Sequence, residues 1–328
     1  MNKSKKIKAL GLLSGGLDST LAFKVLQDQG IKTTAISFIT PFFSSKKAKI
    51  SAGELGIPLI EKDITHEHLK IVLNPRHGYG STMNPCIDCH ALMLKTAGRI
   101  MREKEFDFMF TGEILGERPM SQNKMSLKTV AKDSGYAGYI LRPLSAKLLE
   151  ETKPEKEGKV DRSRLLDISG RQRKRQFALA AKYGIKNASN PAGGCLLTDP
   201  GFSNRLKDLL KHEKKPSLKN IELLKVGRHV QLDKRNKVII GRNEGENDRL
   251  LKIKPRGYEI IEPKYVPGPV CAFPRTLPDK LLIKALKMCA SYCDGEKDEE
   301  ILFESVDAKE QEEYAAIYSK DNRPTRFV

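Results

Sequence analysis

The first half of the chain alternates short apolar runs with segments of helical periodicity, which limits the folds that it can form. Five apolar runs predict β-strands at residues 7–13, 33–38, 58–62, 106–110 and 138–141, and helical patterns follow at 19–29, 46–55 and 91–101. This alternation is typical of a parallel sheet with crossover helices. We therefore expect a doubly wound α/β domain with a parallel sheet over residues 1–210.

The pattern changes after residue 210. Lysines and a proline predict a linker over residues 211–222, and short strands with turns are predicted over 225–254. Residues 278–292 have the periodicity of an amphipathic helix. We expect a smaller α+β domain over residues 223–328, and residues 150–164 are predicted to be an exposed connection or surface helix of the first domain.

Composition narrows the class of protein. The 328 residues are 39% hydrophobic and 30% charged, which is ordinary for globular domains and disfavours wholesale disorder. No apolar run approaches the ~20 residues that cross a bilayer, and the N-terminus lacks a signal-peptide core, so we expect a cytoplasmic protein without membrane contact. The net charge of +18 favours a polyanionic partner, and nucleic acids are the commonest polyanions of the cytosol.

A glycine loop follows the first predicted strand and precedes the first predicted helix. Its sequence is Ser14-Gly15-Gly16-Leu17-Asp18-Ser19. Two glycines let the backbone approach a ligand, and amides at the start of a helix form an anion site, so the loop suits pyrophosphate. It lacks the Gly-Lys-Ser/Thr ending of a Walker A loop. A plain turn, with Asp18 as a helix cap, is the alternative.

Three cysteines form a second group of candidate site residues, after the glycine loop. Cys86 and Cys89 precede a helical pattern, in which Asn84 is the expected N-cap and Pro85 the first helical residue. Cys195 follows two glycines, in a loop able to reach across a site. Three thiolates can hold three irons of a 4Fe-4S cluster and leave the fourth iron open. Two alternatives remain: a zinc site that includes His90, and a cluster-free relay in which Cys89 and Cys195 carry and resolve a persulfide.

The other three cysteines are less informative. Cys271, Cys289 and Cys293 are expected to be buried small apolar residues, because free cysteine is commonly buried. A second metal site is the minor alternative.

Two motifs resemble a known family. Residues 14–19 resemble the SGG-x-DS signature of PP-loop ATP pyrophosphatases, and the regions around Cys89 and Cys195 resemble those of tRNA thiouridine synthases. Cys86 stands where those enzymes usually carry aspartate, which matches the iron-sulfur-dependent tRNA thiolases. The resemblance implies that ATP and Mg²⁺ adenylate a uridine carbonyl oxygen, which sulfur then replaces to give 2-thiouridine or 4-thiouridine.

The resemblance also implies site residues and partners. Contacts to ATP are expected from Ser14, Gly15, Gly16, Leu17, Asp18, Ser19, Ser37, Phe38, Thr111 and Gly112. Catalytic roles fall to Asp18, which would lie near Mg²⁺, and to Cys86, Cys89 and Cys195, which would also be the cluster ligands. Partners would be tRNA and either sulfide or a sulfur donor such as a cysteine desulfurase. Whether the protein forms a homodimer is left open.

The second predicted domain resembles the RNA-binding domain of NFACT proteins over residues 225–254, with its Gly-Arg-Asn and Asn-Asp elements. Basic side chains in turns suit phosphate contacts, and a solvated basic face is the alternative. The expected RNA contacts are Arg228, Lys234, Arg235, Lys237, Arg242 and Lys252. Two rival functions remain: a PP-loop adenylating enzyme with a small-molecule acceptor, and a non-catalytic RNA-binding factor.

Overall fold

The structure is a computed structural model, and it describes residues 6–185, 195–306, 312–325 and 327–328. The chain divides into two compact units, Met1–Thr198 and Asp199–Val328. The helix Pro200–His212 groups with the second unit, and the predicted linker contains the helix Leu218–Leu223. The domain limits 1–210, 211–222 and 223–328 stay predictions from sequence.

The first unit is built on a five-stranded sheet in which every paired strand is parallel, in the order β3-β2-β1-β4-β5. Its strands are β1 (Lys8–Leu12), β2 (Lys32–Ile39), β3 (Leu59–Asp63), β4 (Phe108–Phe110) and β5 (Ile140–Leu141). Its helices are α1 (Leu17–Gln27), α2 (Lys46–Leu55), α3 (Thr65–Leu73), α4 (Cys86–Glu103), α5 (Lys124–Ser134), α6 (Lys153–Lys156) and α7 (Lys174–Lys182).

Helices cover both faces of this sheet, because side chains alternate along each strand. Ala9 of β1 packs in one core with α1, α2 and α7, whereas its neighbour Leu10 packs in another with α4 and α5. Strands that are buried on both faces have continuous apolar sequences, and the positions of these strands could therefore be predicted. The predicted doubly wound α/β architecture is confirmed.

The segment 150–164 differs from the prediction of an exposed connection. Val160 is 3% exposed and belongs to the core that contains α1. The carboxylate of Glu155 is buried, and the guanidinium of Arg162 lies 2.5 Å from it. The other charged residues of the segment are mostly exposed, as predicted, so the difference lies in Val160 and in the buried Glu155, whose charge requires the partner that Arg162 supplies.

The second unit contains a six-stranded sheet in the order β11-β10-β8-β9-β7-β6, with antiparallel pairing throughout. Its strands are β6 (Arg228–Gln231), β7 (Lys237–Ile240), β8 (Tyr258–Pro263), β9 (Cys271–Pro274), β10 (Glu300–Ser305) and β11 (Glu313–Ile317). Its helices are α8 (Pro200–His212), α9 (Leu218–Leu223), α10 (Glu244–Ile253) and α11 (Asp279–Ala290). The α+β prediction is confirmed, although α10 occupies a stretch that was predicted as strand and turn.

No helix within the described ranges is both long enough and apolar enough to cross a membrane.

Candidate functional site

A cleft of about 650 Å³ opens in the first unit at the carboxyl ends of β1, β2 and β4. This is the sheet edge at which open α/β folds bind ligands. The predicted residues that line it are Ser14, Gly16, Leu17, Asp18, Ser19, Ser37, Phe38, Thr111, Gly112, Cys86, Cys89 and Cys195. The structure therefore brings the predicted nucleotide residues and the three cysteines into one cleft.

The glycine loop is held in a tight conformation. Gly15 has a φ of +79°, and a Cβ atom there would lie 2.4 Å from the carbonyl carbon of Lys47. The hydroxyls of Ser14 and Ser19 are 3.2 Å apart, and the Ser19 hydroxyl donates to the Gly16 carbonyl over 2.8 Å. Gly16 is the N-cap residue of α1, so the first amides of α1 are available to an anion. Asp18 lies inside the first turn, and the structure therefore does not use it as the cap.

Gly112 packs directly against this loop. A Cβ atom at Gly112 would lie 2.5 Å from both the backbone nitrogen and the Cα atom of Ser19. Real Cβ atoms do not approach backbone so closely, so a side chain larger than hydrogen would displace the loop. The contact fixes the end of β4 against the start of α1.

Asp18 is placed to meet a cation. Burial raises the pKa of its carboxyl, although the charge of Arg173, whose NH2 atom is 3.8 Å from Oδ2, opposes the shift. Its Oδ1 atom is buried and has no hydrogen-bond partner among the described residues. Burial also raises the pKa of Glu117, and the charge of Asp18 raises it further. Asp18 and Glu117 are thus two acidic groups of one cleft whose ionised forms are disfavoured by burial, and carboxylate oxygens of this kind are ligands for divalent cations.

Three arginines in the cleft were missed by sequence reasoning. Arg118, Arg171 and Arg173 line the same cleft as the glycine loop. Arg173 stacks over the ring of Phe177 at 5.2 Å, and its Nε atom has no partner among the described residues. Guanidinium groups suit phosphate oxygens, so these residues complete an anion site. No local motif marks them, because their position depends on the tertiary fold.

A buried carboxylate joins the two sides of the cleft. Glu113 accepts hydrogen bonds from His90 Nδ1 over 2.9 Å, from the Thr111 hydroxyl over 3.0 Å and from Arg142 Nε over 3.0 Å. Burial alone would raise the pKa of Glu113, but the charge of Arg142 and the bond from His90 outweigh it and hold the pKa well below its usual range. Arg142 is thus part of a buried network.

The helix α4 presents two of the cysteines in its first turn. Cys86 is partly exposed, whereas Cys89 is buried with its Sγ atom 3.1 Å from Nε2 of His68. The prediction that Asn84 caps α4 was wrong: the N-cap residue is Pro85, without a side-chain cap bond. The Asn84 Oδ1 atom instead accepts hydrogen bonds from the amide and hydroxyl of Thr82.

Burial and neighbouring thiols raise the pKa of two of the three cleft cysteines. Burial raises the pKa of Cys89 well above its usual range, and Cys195 and Cys86 raise it further. Burial also raises the pKa of Cys195 to about 11, and Cys86 contributes. Among the described residues, no group of three His, Cys, Asp or Glu side chains is spaced to hold a single metal ion.

Cys271, Cys289 and Cys293 are buried in the core of the second unit, as predicted. The buried position favours the interpretation that they are small apolar residues.

The predicted RNA contacts in the second unit occupy different environments. Lys237 is buried, and its ammonium lies 3.4 Å from Asp208. Arg242 is ion-paired with Glu246, and the Arg228 guanidinium lies over the Tyr292 ring at 4.7 Å.

By contrast, Lys234, Arg235 and Lys252 are exposed. The asparagines of the motif also support the fold: Asn243 caps α10, and Asn247 accepts a bond from the Val270 amide.

Two family models match the chain. Residues 5–151 match the family described as thiamine biosynthesis protein (ThiI), and residues 227–324 match the NFACT protein RNA-binding domain. The first unit therefore carries a ThiI-family PP-loop domain, and the second carries an NFACT-type RNA-binding domain. Both resemblances seen in the sequence are confirmed.

Individual relatives agree with these domains. The chain is 23% identical over 227 residues to a tRNA-specific 2-thiouridylase MnmA of Symbiobacterium thermophilum, covering 61% of this chain and 55% of the relative. It is 31% identical over 146 residues to a probable tRNA sulfurtransferase of Oceanobacillus iheyensis, covering 42% of this chain and 34% of the relative. The chain thus spans about half of the first relative and about a third of the second.

Among solved structures, a 4-thiouridine synthetase–RNA complex with bound ATP matches with 19% identity and a TM-score of 0.38. The match covers 66% of this chain and 52% of that one.

Proposed function

We propose that this chain is an ATP-dependent tRNA sulfurtransferase, which adenylates a uridine carbonyl oxygen and replaces it with sulfur to give 2-thiouridine or 4-thiouridine. The observation that carries the proposal is that a single cleft contains both the glycine loop and three cysteines. The names of the two sequence relatives and the ThiI-family domain support the same reaction class.

At the nucleotide end of the cleft, the amides that begin α1 and the hydroxyls of Ser14 and Ser19 would bind the phosphates of ATP. Positive charge would also come from Arg118, Arg171 and Arg173. Its stabilising effect would increase as negative charge develops on the leaving pyrophosphate. Asp18, whose Oδ1 atom has no hydrogen-bond partner among the residues that the structure describes, fits a Mg²⁺ ion bound to those phosphates. Ser37 and Phe38, at the end of β2, would border the adenine.

The reaction would proceed in two displacements. A target uridine must first leave its stack, because its carbonyl is otherwise out of reach. Its O2 or O4 atom attacks the α-phosphorus of ATP, and pyrophosphate leaves. Sulfide then attacks the ring carbon, and AMP departs with the original oxygen. The cleft's role is to hold both reactants and to stabilise the developing phosphate charge.

At the other end, Cys86, Cys89 and Cys195 would hold a 4Fe-4S cluster. Such a cluster with three protein ligands supplies one iron that is open to sulfide. The support for it is a donor set of three thiols from two distant segments, together with Asn84, which donates a hydrogen bond to Cys86 Sγ over 3.2 Å. His68, beside Cys89, would hold that sulfur in place.

The second unit would bind tRNA in the cytoplasm through basic side chains that the fold leaves exposed. These are Lys234 and Arg235 in the turn after β6, and Lys252 on α10. Arg228, which is half-buried, and Arg242, which is exposed but ion-paired with Glu246, stay in the proposed set. Lys237 is better explained as a structural ion pair with Asp208. The sulfur would come from sulfide or from a cysteine desulfurase.

The test is an anaerobic reaction of iron-reconstituted protein with unmodified tRNA, ATP, Mg²⁺ and sulfide, followed by nuclease digestion and mass spectrometry of the nucleosides. We expect a thiolated uridine that disappears with Cys195→Ala and persists with the control Cys293→Ala, which removes a buried thiol from the second unit. Chromatography would separate 2-thiouridine from 4-thiouridine. ATP turnover and bound iron without any thiolated nucleoside would refute the tRNA reaction and favour a small-molecule acceptor.

A further inference from the structure

Helix α5 carries a row of lysines on one side of the first unit. Lys124, Lys128 and Lys132 are four residues apart and exposed. Four residues of α-helix rise about 6 Å, so the three ammonium groups follow one another along the same side of the helix. In the described part of the chain, no carboxylate lies within 4.0 Å of any of the three. The three ammonium groups therefore form no close ion pair with the residues that the structure describes.

The helix that presents them is firmly anchored. Asn123 caps it, because its Oδ1 atom accepts a hydrogen bond from the Ser126 amide over 2.8 Å. Gly135 ends it in the left-handed conformation with a φ of 80°. The helix is also held by buried side chains, with Leu127 and Val130 at 2% and 1% exposure. A binding partner would therefore meet charges whose backbone is already ordered, which lowers the entropic cost of binding.

The row of lysines begins at the edge of the catalytic cleft. Arg118 and Gln122 line that cleft, and Lys124 follows them directly after the capping residue. Positive charge therefore continues from the cleft along α5. If the reactive part of a polyanion enters the cleft, the lysines would attract the negative charges of its adjoining backbone to this helix.

A second cavity of about 330 Å³ lies beside the lysines. All three lysines line it, together with apolar side chains and two carboxylates, Glu150 and Glu155. Because Glu155 is ion-paired with Arg162, the lysines outnumber the one remaining acidic group, and the surface combines a net positive charge with apolar side chains. Single-stranded RNA offers the matching pair of features, since phosphates alternate with bases that have apolar faces.

We propose that the lysines of α5 bind the phosphate backbone of an RNA segment next to the nucleotide that reacts in the cleft. The identity of the partner as RNA rests on the proposed function. This contact surface belongs to the first unit and is additional to the NFACT-type domain. Its role is to give affinity and position rather than sequence choice.

The experiment compares wild-type protein with a triple variant, Lys124→Gln, Lys128→Gln and Lys132→Gln. Glutamine keeps helix propensity and removes only the charge. A matched control replaces Lys32, Lys62 and Lys70, which are exposed at the β3 side of the same unit. Binding of unmodified tRNA is measured by fluorescence anisotropy between 50 and 200 mM salt, and ATP turnover without RNA reports the integrity of the cleft.

Each lost phosphate contact should reduce the slope of log affinity against log salt by about 0.7 to 0.9. Over this fourfold range in salt, wild-type affinity should therefore fall roughly 20- to 40-fold more than that of the triple variant. The control triple variant should keep the wild-type slope. Equal slopes for the two triple variants would overturn the proposal while leaving the proposed function intact.

Two further outcomes are decisive. If wild-type protein neither binds nor thiolates tRNA, the proposed function itself has failed. If the α5 variant keeps its RNA affinity, thiolates normally with sulfide and loses activity only with a protein sulfur donor, the lysines bind a protein, and the RNA proposal is wrong.

Discussion

Replacing Gly112 by alanine tests whether the contact between β4 and the glycine loop positions ATP. The new Cβ atom would lie 2.5 Å from the nitrogen and Cα atoms of Ser19. Carbon atoms at optimal contact are about 3.5 to 4.0 Å apart, so the loop or β4 must move by about 1 Å. Both neighbours are backbone atoms, so no side-chain rotation can relieve the clash.

Overpacking of this kind typically costs about 1 to 3 kcal/mol of folding free energy. The larger effect should fall on activity, because a displacement of about 1 Å can reduce a rate on the order of 10²-fold. We therefore expect Gly112→Ala to fold, with a lower melting temperature, and to lose most of its ATP turnover.

The assay pairs thermal unfolding with isothermal titration of ATP and with pyrophosphate release. Gly53→Ala is a matched control: this glycine lies exposed in α2, with no atom within 4 Å of the added Cβ atom. It should raise stability by roughly 0.5 to 1 kcal/mol and leave turnover unchanged. If Gly112→Ala binds and consumes ATP like wild type, the glycine loop does not hold the phosphates.

Two further substitutions test buried charges. Glu113→Gln should lower stability by about 3 to 5 kcal/mol at pH 7, because it leaves Arg142 buried without its partner charge; exposed Glu67→Gln is the control. The pKa of Glu113 is depressed in the folded state, so its contribution is present above the ordinary value of 4.5 and is lost as pH falls below it. Denaturation across that range should show the difference between wild type and Glu113→Gln shrinking, and a constant difference would contradict the ion-pair account. Lys237→Gln should lower the melting temperature without changing the salt dependence of tRNA binding. Exposed Lys234→Gln should leave the melting temperature unchanged and reduce the salt dependence. An altered salt slope for Lys237→Gln would return Lys237 to the RNA contacts.

Sequence patterns predicted the elements whose side chains repeat regularly. The helical pattern at residues 46–55 coincides with α2, and the strand–loop–helix order around Ser14 is present as expected. The convergence of this loop with Thr111 follows from parallel strands that end at one edge. These features depend on local periodicity and on a general rule of sheet topology, so one sequence is sufficient to predict them.

Features that depend on competition between partners were not predictable. Asn84 suits a helix cap, but Thr82 takes its side-chain oxygen. Lys237 looked like an exposed turn residue, yet every residue of β7 is buried, because that strand lies inside its sheet between β9 and β6. Arg173 reaches the cleft from a segment more than 150 residues beyond the glycine loop, and nothing in its local sequence indicates this.

The separation of the cleft cysteines along the chain has a thermodynamic consequence. Cys89 and Cys195 are 106 positions apart (195 − 89), but both line the same cleft and Cys195 raises the pKa of Cys89. Any bond network that joins them closes a loop of that length, and in the chain-entropy model such a closure disfavours the unfolded state by about 4.7 kcal/mol. The lifetime of the protein would then depend on the supply of whatever its thiols hold, because an empty chain unfolds and is degraded more readily.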